Sequence, residues 1–65
     1  MSRADDTFEI ARDMSTYNNC PIYVFFKEGS FKIVAKLDWF NEVHERLTKE
    51  GYFVVSVFEN GKKTA

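Results

Sequence analysis

The stretch "CPIYVFFKEGSFKIVAK", residues Cys20–Lys36, decides the fold. Two arms, Ile22–Lys27 and Phe31–Lys36, are rich in aromatic and β-branched residues and are joined through Glu28 and Gly29. That composition around a two-residue glycine turn predicts a β-hairpin, with Gly29 supplying the positive φ the turn needs. If Phe26 pairs with Phe31, Ile22, Val24, Phe26, Phe31, Ile33 and Ala35 share one face of the hairpin. Tyr23, Phe25, Lys27, Lys32, Val34 and Lys36 share the other. Only the first is a pure core face. The second mixes aromatic, aliphatic and charged groups, and something must cover its apolar part.

Outward from the hairpin, "KLDWFNEVHERLTKEG" predicts a helix of about three turns. Asp38 is placed to cap its first turn, and Gly51 sits where a left-handed residue ends a helix. Phe40, Val43 and Leu47 recur at helical spacing with Trp39 and His44 beside them. Glu42 with Arg46 and Glu45 with Lys49 form i,i+4 pairs in the favourable direction. "YFVVSVF", Tyr52–Phe58, reads as a third strand, with Tyr52, Val54, Ser56 and Phe58 on one parity and Phe53, Val55 and Val57 on the other. A right-handed crossover makes it parallel to the second strand and leaves it beside the first. The expected fold is therefore α+β, a single small domain of hairpin, helix and strand, with a three-stranded sheet of order 2-1-3 and the helix on one face.

"ENGK" after the third strand is a hairpin-turn signal, but so few residues follow that 62–65 are expected to form a basic tail, not a strand. The domain would then span residues 21–61. Residues 1–20 have alternative readings. Phe8, Ala11 and Met14 fit a short helix, Phe8 and Ile10 fit a strand, and a partly disordered segment is the third choice. "STYNNCP" closes the segment with turn residues, and Pro21 biases Cys20 away from helix.

At 65 residues the chain is near the lower limit of what folds alone, yet 45% hydrophobic and 17% aromatic content is far from a disordered composition. Nine basic and ten acidic side chains leave a formal charge of -1, which excludes a polycation built to coat nucleic acid or membrane. The charges are segregated. Residues 21–37 hold three Lys against one Glu, and residues 38–50 hold four acids against two bases. The lone Cys20 rules out an internal disulfide and suits a reducing compartment. The N-terminus lacks a basic start followed by an apolar run, so a cytoplasmic location with no membrane segment is expected.

The chain contains one His and one Cys and has no glycine-rich phosphate loop. His44 and Cys20 would act as base and nucleophile only if the fold joined them, and a metal needs more ligands than they supply. No catalytic residue, metal ligand or cofactor is expected, and the chain reads as non-enzymatic.

The second sheet face carries the functional expectation instead. Tyr23, Phe25, Val34, Tyr52, Val54 and Phe58 would make an apolar patch, with Lys27, Lys32 and Lys36 around it. Covering about 400 Å² of such a patch is worth about 10 kcal/mol, comparable to the stability of a whole domain. Three covers are open: the N-terminal segment through Phe8, Ile10, Met14 and Tyr17, a second copy in a homodimer, or a larger partner protein. Aromatic groups interleaved with Lys also resemble single-strand nucleic-acid platforms. The overall acidity and the absence of Arg from the hairpin weigh against nucleic acid. A separate docking surface is the acidic side of the helix, Asp38, Glu42, Glu45 and Glu50, joined by Asp5, Asp6, Glu9 and Asp13 if the N-terminus folds nearby.

From "PIYVFF" through "LDWFNEVHERL" to "GYFVVSVF", the chain resembles in outline small bacteriophage proteins that bind and inhibit host machinery, including inhibitors of bacterial RNA polymerase. The likeness spans about two-thirds of the chain and rests on element order and size. It implies a module that inhibits by occupying a host surface, and it carries over no individual functional residue.

Overall fold

The computed structural model describes residues 3–64; residues 1, 2 and 65, the outer ends of the expected N-terminal segment and basic tail, lie outside them. Helix α1 spans Arg3–Asn18, strand β1 Ile22–Lys27, β2 Ser30–Ala35, helix α2 Phe40–Lys49, β3 Phe53–Glu59 and β4 Lys62–Lys63. The chain is an α+β domain whose antiparallel sheet has the order β2-β1-β3-β4.

The hairpin follows the expected register, with Phe26 opposite Phe31 and Ile22 opposite Ala35. Both turn residues lie in the left-handed region, Glu28 at φ 45° and Gly29 at φ 80°, as a two-residue turn matched to strand twist requires. β3 lies beside β1, as the crossover argument requires. It departs from strict alternation, however, because Val24 faces Ser56 while Phe25 faces Val54, leaving Val55 as a bulge. Ser56 and Phe58 are thereby turned to the opposite face from Tyr52 and Val54. This corrects the grouping of Phe58 with Tyr52. A further correction is β4, because the Asn60-Gly61 turn closes a two-residue strand where a tail was expected.

The larger correction concerns the faces. Of the readings of residues 1–20 the helix is the one found, and it lies on the face expected for the second helix, while α2 takes the other. α1 covers the Ile22 face, where Ala11, Ile22, Val24 and Phe58 are buried together and Phe8, Met14, Phe31 and Ile33 pack around them. α2 covers the Tyr23 face, where Phe25, Phe40 and Leu47 are buried with Tyr23, Val34, Val43, Tyr52 and Val54 around them.

α1 approaches the sheet through Thr7, Ala11 and Ser15, small buried residues spaced one turn apart. Ser15 also ties the helix to the β3–β4 turn. Its hydroxyl donates to the Arg12 carbonyl at 2.7 Å and accepts the Gly61 N–H at 2.9 Å. Gly61 lies at φ 79°, which favours glycine, and a side chain there would also have to push Thr16 Oγ1 aside.

α2 starts after Trp39 with no side-chain cap, so Asp38 does not fill the expected role. Its C-terminus closes as expected at Gly51, φ 103°. Tyr52 N–H donates to the Leu47 carbonyl and Gly51 N–H to the Thr48 carbonyl, the paired bonds of a Schellman motif. Of the two expected charge pairs, Glu45–Lys49 forms at 3.1 Å, and the Glu42–Arg46 pair is open among the described residues. No described helix is long and apolar enough to cross a membrane.

Candidate functional site

Of the expected sheet-face residues, Phe25 and Phe58 are 0% and 1% exposed, on opposite faces. Neither is open to a partner in this fold. Tyr23 is half-buried with its ring 4.5 Å from that of Phe40, and Phe25 packs edge-on to His44 at 5.5 Å. The patch that the hairpin leaves uncovered is closed by the chain's own α2. This also covers the aromatic platform on which a nucleic-acid reading would depend.

Lys27 is half-buried, and its ammonium donates to the Glu50 carbonyl at the end of α2, where the helix dipole is negative. Lys27 and Lys32 each place Nζ 5.7 Å from the Tyr52 ring centre. Lys32 and Lys36 remain exposed, whereas Val34 and Tyr52 are half-buried.

The acidic residues Asp38, Glu42, Glu45 and Glu50 are exposed, but Glu45 is paired with Lys49. Asp5, Asp6, Glu9 and Asp13 belong to α1 on the far side of the sheet, so the two acidic sets do not merge. Cys20 packs in the α1-side cluster and His44 against the rings of the α2-side cluster. The sheet separates them.

A different surface emerges at the free edge of β2. The Lys36 N–H donates inward to the Pro21 carbonyl, and ladder alternation then directs the backbone groups of Ser30, Lys32 and Val34 toward β1 as well. Consequently the N–H and C=O of Phe31 and Ile33 and the N–H of Ala35 point outward; the Ala35 carbonyl accepts from Leu37 N–H. Between this edge and α2 runs an open groove of about 530 Å³, lined by Lys32, Val34, Val43, Arg46 and Leu47 among others.

Exposed large apolar side chains occur on both helices, on β3 and just after β2. Among the described residues the large ones are Ile10, Tyr17, Leu37, Trp39 and Phe53. Leu37 and Trp39, the latter 55% exposed, follow directly on β2. Val43 N–H donates to the Trp39 carbonyl, so Trp39 is in helical register. Helical spacing then puts it on one stripe with Val43, Arg46 and Glu50, the stripe that borders the groove.

On α1, Arg12 lies over Phe58 of β3 and Ser15 bonds the β3–β4 turn. Helical spacing puts Ile10, Met14 and Tyr17 on the other flank of that helix. Of the residues expected to form a lid, Phe8 and Met14 pack inward, while Ile10 and Tyr17 stay 53% and 85% exposed. The 2-1-3 strand order already implies the free edge. Compared with protein-family models, with curated proteins and with solved structures, the chain matches none.

Proposed function

We propose that this protein is a non-enzymatic protein-binding module, an inhibitor of the phage or prophage type that occupies a surface of a host protein such as RNA polymerase in the bacterial cytoplasm. The observation that carries the reading is the unpaired edge of β2 with the exposed Leu37 and Trp39 following directly on it. Exposed apolar groups scattered singly are ordinary; grouped along one edge they suit an interface. Trp39 is the natural anchor, since a large ring gains most on desolvation at the centre of a contact. The choice of a host-machinery target rests on the outline shared with small phage inhibitors.

The test is capture from a bacterial lysate with the tagged chain, with and without nuclease treatment. One host protein retained at equal stoichiometry in both samples, and at least tenfold less by Trp39→Ala, is the expected result. Retention that disappears with nuclease would transfer the function to nucleic acid, and an empty column would overturn the reading.

A further inference from the structure

We propose that β2 accepts an extended segment of the partner as an added edge strand, and that this segment alternates apolar and acidic side chains. The inference rests on the binding-module reading and specifies its mode. A terminal strand with outward N–H and C=O groups is a template for another strand, and the groove beside it receives alternate side chains. Here the outward groups are those of Phe31 and Ile33 with the Ala35 N–H.

The alternation follows from the two faces at this edge. Incoming side chains on the α1 side would meet Phe31, Ile33 and Ala35, an apolar boundary that packs on the α1-side core. Side chains on the α2 side would meet Lys32 and Arg46, with one carboxylate, Glu50, around the floor of Val34, Val43 and Leu47, and the exposed Lys36 next along the edge. Arg46 has no ion-pair partner among the described residues. Acids on that side would meet three exposed cations.

A second copy fits less well, for the same reason. An antiparallel β2–β2 pair centred on Lys32 or Val34 sets Lys32 directly opposite a Lys of the other copy. Centring on Phe31 or Ile33 sets the two Lys32 side chains diagonal to each other. Like charges at these separations oppose self-pairing, while an acidic strand turns the same lysines into attraction.

The probe is a blocked decapeptide of alternating Val and Glu, titrated into the isotope-labelled full chain and followed by amide NMR, with a Val and Lys decapeptide as its match. Shifts should centre on Phe31, Ile33 and Ala35, their amide exchange should slow at least tenfold, and the Lys peptide should bind at least tenfold more weakly. Exchanging Lys32 and Lys36 for Glu should invert that preference; both side chains are exposed, so the fold is retained. Equal binding of both peptides, or shifts centred elsewhere, overturns the proposal.

The same double variant used in lysate capture separates the two readings. A host protein still held undiminished overturns strand addition but leaves the binding module standing. No host protein held by the parent chain, with the peptide response intact, removes the module reading and keeps the edge as a strand acceptor. Ile33→Pro, which removes one outward N–H, is expected to abolish peptide binding if folded.

Discussion

On one face of the sheet the covering helix contributes Thr7, Ala11 and Ser15, and on the other it contributes Phe40 and Leu47. The first contact has small residues at its closest point, with Phe8 and Met14 beside them and further bulk supplied by the strands through Ile22, Val24 and Phe58. The second relies on rings, with Phe25, Phe40 and His44 packed against one another. Their polar fastenings differ as well. α1 is held to the β3–β4 turn by a neutral hydroxyl, whereas the end of α2 is held by the Lys27 ammonium. Two helices of similar purpose thus close two faces by different physics, and substitution can separate them.

The largest effect is expected at Phe25. If the α2 face is a core equal to the α1 face, Phe25→Ala costs about 3–5 kcal/mol, enough to unfold a domain of this size. Urea denaturation followed by circular dichroism measures it. A variant as stable as the parent would mean that only the α1 face is a true core.

Next comes Ser15→Ala, which leaves the part-buried Gly61 N–H without its acceptor and costs about 0.5–1.5 kcal/mol. Because both groups are neutral, the loss should be the same at low and high salt. The smallest effect belongs to Lys27→Met, which keeps the stem against Gly51 but removes the charge at the end of α2. Its cost is about 0.3–1 kcal/mol at low ionic strength and should shrink as salt is added. Equal salt dependence in the two variants would erase the proposed distinction between the fastenings.

Those differences also explain which parts of the molecule were legible beforehand. The hairpin register, the stop at Gly51 and the position of β3 follow from short-range patterns: two-residue turns, apolar alternation and a glycine after a helical stripe. α1 was ambiguous because its buried stripe is Thr7, Ala11 and Ser15, which a search for large apolar periodicity passes over. The more conspicuous Ile10 and Tyr17 point away from the core. The bulge at Val55 was hidden for another reason. An extra residue in one strand shows only when its partner strand is beside it, and it moves Phe58 to the opposite face.

The candidate site was misread at the same point. Phe25 looked available because its face carries Lys27 and Lys32, but those side chains lie along the rim and reach the Tyr52 ring, while α2 takes the centre. Lys32 and Lys36 do remain accessible, and they border the free edge of β2.

Local chemistry along the chain was sufficient for the elements, their order and the hairpin's two faces, because turn conformation and side-chain alternation depend on neighbours in sequence. Which helix closes which face, where β3 bulges and which apolar groups stay in water depend on contacts between residues far apart in the chain. They emerge only when the elements compete for the same surface, and here the competition leaves Trp39, Leu37 and the outer edge of β2 exposed.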